Sequence, residues 1–96
     1  MGLGELTSRS AVRQAMTECD TLGREAFLEK YGFGRARSYF LRHDGREYDS
    51  KAIVAVAHGL EHPGLGPLHA SEFSGGAATV AAKLRALGFE VVARSR

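Results

Sequence analysis

Apolar residues first recur at helical spacing between residues 8 and 22, where Val12, Ala15, Met16, Cys19 and Leu22 form one stripe and Ser8 or Ser10 suits the N-cap. Gly23 breaks this run. A second, shorter helix is predicted from about Arg24 to Tyr31, with Phe27, Leu28 and Tyr31 as its apolar positions and Gly32 where a left-handed cap is wanted. The pattern then changes period. Ser38 to Arg42 is rich in aromatic residues, His43-Asp44-Gly45 reads as a tight turn, and Arg46-Glu47-Tyr48 returns, which together predict a hairpin because Asp-Gly tolerates positive φ. Asp49 or Ser50 is placed to cap a third helix through about His58, whose Ala52, Ile53, Val56 and Ala57 mark it as largely buried. The Gly- and Pro-rich stretch from Gly59 to His69 reads as a loop. A fourth helix follows Ser74-Gly75-Gly76, with Val80, Leu84 and Leu87 on one face and Gly88 as its stop, and Phe89 to Val92 alternates as a closing strand.

These elements predict an α+β domain of about four helices, with the β-hairpin and the C-terminal strand forming a small sheet. The strand at Phe89 to Val92 is expected to pair with the hairpin, because two strands alone are marginally stable in water. A chain of 96 residues supports one core, so residues 1–92 are read as a single domain and 93–96 as a tail or the start of a linker.

Composition adds less. Hydrophobic residues at 44% and charged residues at 25% are ordinary globular usage and argue against disorder. The lone Cys19 lies on an apolar stripe, which makes it core rather than nucleophile and fits a reducing compartment. No apolar run approaches the roughly 18 residues of a membrane span, and no signal-like segment opens the chain, so a cytoplasmic protein with no membrane association is expected. The formal net charge is only +2. Its distribution is uneven, since residues 33–43 carry Arg35, Arg37 and Arg42 and no acid.

Candidate chemistry is sparse. His58 and His62 stand four apart, with Glu61 between them, but His62 precedes Pro63, and exposed loop histidines are the better reading of the set that also includes His43 and His69. No nucleophile elbow, Walker-type loop or His-Glu-x-x-His motif occurs, and the absence of asparagine rules out the Asn of an HNH nuclease motif within this chain. No catalytic residue, metal or cofactor is predicted. The two helix starts, Tyr48-Asp49-Ser50-Lys51 and Phe73-Ser74-Gly75-Gly76, present backbone N–H groups of the kind that receive phosphate oxygens. Thr79 and Lys83 extend the second edge. Ser74 suits a plain cap equally well, and the glycines suit tight packing. Tyr39 and Tyr48, placed to face one another across the hairpin, suit the core or, beside Arg37, Arg42, Arg46 and Lys51, the stacking and cationic contacts of a nucleic-acid groove.

The run LGREAFLEKYGFGRARSYFLRHDGREYDSKAIVAVAHG, followed by FSGGAATVAAKLRALGFEV, resembles the N-terminal head domain of ScoMcrA-like modification-dependent (type IV) restriction endonucleases, over most of the chain. The matching positions are the Tyr39 to Arg42 strand, Tyr48 to Ile53, Phe73 to Gly76 and Leu87-Gly88-Phe89. In that family the head precedes modules that recognise modified DNA and an HNH nuclease, and similar heads precede other domains in bacterial defence proteins. The resemblance implies a module that assists DNA engagement without cutting, and it transfers no catalytic residue.

Two functions follow as expectations. The first is a DNA-binding accessory module holding the phosphate backbone of double-stranded DNA through Arg35, Arg37, Tyr39, Arg42, Arg46, Tyr48, Ser50, Lys51, Ser74, Gly75, Gly76, Thr79 and Lys83. With Gln14 the only side-chain amide, sequence preference is expected to be weak. The second is a docking or dimerisation module that binds downstream domains of its parent or a second copy of itself. Salt separates the two, because phosphate contacts weaken steeply with ionic strength and apolar contacts hardly respond.

Overall fold

The computed structural model describes residues 3–73 and 77–94, which form an α+β domain of four helices and a three-stranded antiparallel sheet. After a 3-10 turn at Leu3–Glu5, helix α1 (Arg9–Leu22) starts at Ser8, whose hydroxyl accepts from the Ala11 N–H at 3.0 Å. Its buried face is Ala11, Val12, Ala15, Met16 and Cys19. Leu22, expected on the same stripe, is 41% exposed; the helix ends there, with the Gly23 N–H donating to Cys19 O at 2.8 Å. Helix α2 (Arg24–Tyr31) buries Phe27 and Leu28 and ends at Gly32 in the left-handed conformation.

Strands β1 (Tyr39–His43) and β2 (Arg46–Asp49) form the expected hairpin, and β3 (Glu90–Ala93) adds to the other side of β1, giving the order β2-β1-β3. Asp44 and Gly45 at the turn both have positive φ, 52° and 79°. The register sets Leu41 beside Tyr48 and Val91, all three buried, and Arg42 beside Glu47 and Glu90, all three exposed. Tyr39 and Tyr48 are therefore not opposite one another: Tyr39 faces Ala93 on β3 and Tyr48 faces Leu41. The ladder also runs one residue past the expected Val92, and the Arg94 N–H donates to Ser38 O at 2.7 Å.

Helix α3 (Ser50–Glu61) is the centre of the domain, with Ala52 through His58 all buried. It is longer than predicted, because Gly59 continues the helix instead of opening the loop. The loop folds back over it, with Leu68 N–H bonded to Ala55 O at 3.2 Å. Gly59 permits this approach, since a Cβ there would lie 2.5 Å from Pro67 N and 2.8 Å from Gly66 C. The same folding corrects the expectation of exposed loop histidines at His58 and His62, while His69 is exposed as expected. His58 is 0% exposed inside α3, and His62 is half-buried at its C-cap. The last helix is also divided, with a π-helical turn at Ala77–Ala81 leading into a short α4 (Ala82–Ala86), where Leu84 is buried.

Glu61 ties the two ends of this arrangement together. Its carboxylate accepts from Thr7 N–H at 2.8 Å, the Thr7 hydroxyl at 2.5 Å and Ser8 N–H at 3.0 Å, fastening the start of α1 to the end of α3. Burial acts to raise this carboxyl, and the hydrogen bonds from the Thr7 hydroxyl and the Thr7 and Ser8 amides outweigh it, so the group sits below its ordinary value. A depressed folded value means that its contribution is complete above the unfolded carboxyl range and is lost as pH falls through the folded value. Urea midpoints measured against pH should show Glu61→Gln less stable than the parent at pH 7 and the gap closing on acidification. A gap independent of pH would contradict the assignment.

Candidate functional site

Where β2 passes into α3, Asp49 occupies the N-cap position of α3 but makes no capping hydrogen bond. Its buried carboxylate instead receives Arg24 Nε and Nη2, each at 2.7 Å, and the Ala36 N–H at 2.7 Å. This fork-to-fork pair carries the geometry that arginine alone supplies. It joins the start of α2, the 34–38 loop and the start of α3 at one point. Sequence reading assigned Asp49 or Ser50 to capping, and no local pattern announces a partner 25 residues away. Ser50 is buried and does not cap either, since its hydroxyl donates to Tyr39 O at 2.8 Å.

Between that loop and the start of α3 lies a cleft of about 300 Å³, lined by Arg35, Arg37, Tyr39, Asp49, Ser50 and Lys51 among others. Five of the residues singled out in the sequence are thus brought together. Arg35 is exposed and forms an ion pair with Glu25. Arg37 is exposed and has no hydrogen-bond or ion-pair partner among the described residues. Lys51 Nζ donates to Ala70 O at 2.7 Å and stands 5.0 Å from the Phe73 ring centroid, so it links α3 to the 70–73 segment and retains two of its three donors. Tyr39 is half-buried. With no side chain capping α3, the positive end of that helix also faces this region.

The remaining candidates lie elsewhere. Arg42 is on the outer face of the sheet between Glu47 and Glu90, and Arg94 forms an ion pair with Glu47 on that face. Arg46, one residue out of phase with Glu47, points to the opposite face and pairs with Asp20 at 3.0 Å. Arg42, Arg46 and Lys51 therefore do not share one surface. Tyr48 is buried, with its hydroxyl donating to Asp20 at 2.8 Å; burial first, and then the Asp20 carboxylate, push it up to about 12. Thr79 and Lys83 are half-buried on the last helical segment and do not line the cleft. Ser74, Gly75 and Gly76 lie outside the described residues.

A larger groove of about 680 Å³ runs between α1 and the hairpin, but Asp20 and Asp44 stand among its cations and Arg46 is already paired there. The smaller cleft holds one acid, Asp49, and that acid is matched by Arg24. Among the described residues, no three His, Cys, Asp or Glu side chains converge as metal ligands, and no helix is long and apolar enough to cross a membrane. What the cleft can do chemically is hold an anion beside an aromatic ring.

Comparison with known proteins places this geometry. Residues 5–93 match the family described as ScoMcrA-like, N-terminal head domain. Among solved structures, the type IV phosphorothioation-dependent restriction endonuclease ScoMcrA shares the fold with a TM-score of 0.68 and 35% sequence identity, over 95% of this chain. The match spans 14% of that much longer protein. No curated protein matches the chain. Sequence and fold agree over nearly the same residues, and the chain belongs to the ScoMcrA-like N-terminal head domains.

Proposed function

We propose that this domain is a non-catalytic accessory module of a modification-dependent restriction endonuclease, or of another bacterial defence protein, and that it engages the phosphate backbone of DNA. The parent protein in this reading carries its nuclease, of HNH type, in a separate module. The observation that carries the proposal is the cleft at the start of α3, where Arg35, Arg37 and Lys51 stand beside Tyr39 with a single, neutralised acid among them. Contacts of this kind position a protein without reading sequence. Arg42, Arg46, Thr79 and Lys83, together with Ser74, Gly75 and Gly76, belong to the wider proposed surface. Buried Tyr48 contributes to it only by supporting the hairpin.

Arg35 and Arg37 are the substitutions of choice, because both are exposed and neither anchors the fold. Fluorescence anisotropy with a labelled oligonucleotide should show Arg35→Ala/Arg37→Ala binding about ten-fold more weakly at low salt. Its salt slope should be shallower by roughly 2, one phosphate contact being removed per arginine. A parent domain that binds no DNA at low salt, or a double variant with unchanged affinity and slope, would overturn the proposal.

One observation favours a docking role instead. On the outer face of the sheet the half-buried Phe40 and Val92 are flanked by Arg42, Glu47, Glu90 and Arg94, an apolar centre with a rim of both signs. Such a surface suits a downstream domain or a second copy of this chain better than a polyanion. Association through it would persist at high salt.

A further inference from the structure

Building on the reading of the α3 cleft as a DNA-backbone site, we infer that this cleft takes one unpaired nucleotide of a DNA strand, its base against Tyr39 and its phosphate between Arg37 and Lys51. The cleft is concave and holds about 300 Å³, the lower end of small-ligand pockets. A duplex presents its phosphates on a convex surface and keeps its bases stacked inside. Only a single-stranded or extruded nucleotide can place a ring within such a recess.

The lining fits the two ends of that ligand differently. Tyr39 lines the cleft, half-buried where it packs against the core, and stacking on an aromatic ring is open to any base. Arg37 has no partner among the described residues, and Lys51 holds two donors in reserve beyond its bond to Ala70 O, so both can meet a phosphodiester. Asp49, the one acid present, already accepts from Arg24 twice and from Ala36 N–H, which removes it as a repelling charge. No asparagine occurs in the chain, and recognition by stacking does not need one. The expected preference is therefore for strand form and not for sequence.

The test compares a short labelled oligothymidylate with a duplex of the same length, for the parent, Tyr39→Ala, Tyr39→Leu and Tyr39→Phe, each checked for folding by circular dichroism. The parent should bind the single strand about ten-fold more tightly than the duplex. Tyr39→Leu, which keeps apolar bulk if Tyr39→Ala fails to fold, should lose about ten-fold or more on the single strand and little on the duplex, while Tyr39→Phe keeps the parent affinity. A 2-aminopurine placed in the strand should be quenched by the parent and by Tyr39→Phe only. Duplex binding equal to or stronger than single-strand binding, or Tyr39→Leu weakening both forms alike, would overturn the inference while leaving the backbone reading intact. Failure of the parent to bind either form would remove both.

Discussion

Replacing His58 by alanine should cost about 3–5 kcal/mol, a large share of the roughly 5–15 kcal/mol that stabilises a domain of this kind. His58 is 0% exposed, so its loss leaves a cavity beside the last turn of α3. It also strands two acceptors. Gly66 O can only accept, so Nδ1 carries a proton and donates to it at 3.0 Å, while Nε2 meets the Glu5 carboxylate at 2.8 Å. One ring therefore holds both the 62–68 loop and the N-terminal 3-10 turn against α3. Its neighbour His62 donates to Glu5 O at 2.6 Å but is half-buried, and His62→Ala should cost only about 1 kcal/mol. Urea denaturation of the two variants measures both values. A His58→Ala midpoint close to that of His62→Ala would show that the buried ring contributes little.

The second large effect is expected at the Arg24–Asp49 pair. Removing one member of a buried ion pair typically costs about 3–5 kcal/mol, because the other is left uncompensated. Arg24 is 43% exposed and Asp49 is 6% exposed in their side chains, so the two halves are unequal. Arg24→Ala leaves a buried carboxylate with only the Ala36 N–H, and after allowance for solvent around the guanidinium it should destabilise by about 2–4 kcal/mol. Asp49→Ala frees Arg24 to enter water and should cost less. Its functional consequence is more diagnostic. Removing an acid beside a polyanion site strengthens binding if only charge matters, whereas loss of the Ala36 anchor releases the loop that carries Arg35 and Arg37. Weaker DNA binding by Asp49→Ala is the expected result, accompanied by faster hydrogen exchange at the Ala36 amide. Tighter binding with unchanged exchange would mean that Asp49 is a charge and not a clamp.

Most of the elements are legible in the sequence because their signals are local. Ser8 caps α1 from three residues away, Gly32 adopts the left-handed cap, and Asp44-Gly45 makes the hairpin turn, each within reach of its own neighbours. The addition of β3 to the hairpin follows from the need of a two-stranded ribbon for a third strand. The site is only half legible. Arg35, Arg37, Tyr39, Ser50 and Lys51 stand out as residue types, but periodicity does not distinguish them from Arg42 and Arg46, which strand alternation sends to opposite faces of the sheet.

Residue order by itself determined the α+β class, the helix boundaries set by serine and glycine, and the position of the hairpin turn, since these depend on conformational preferences and hydrogen bonds spanning a few positions, whereas the expected pairing of Tyr39 with Tyr48 across the hairpin gave way to Leu41 beside Tyr48. Tertiary structure alone decided that Gly59 stays helical under Pro67, that His58 is buried between Glu5 and Gly66, and that Asp49 turns from capping α3 to holding Arg24. The Asp49 and Glu5 contacts join residues 25 and 53 positions apart. Their energies depend on burial and on meeting a partner of opposite charge or matching donor, and neither exists until the elements have packed.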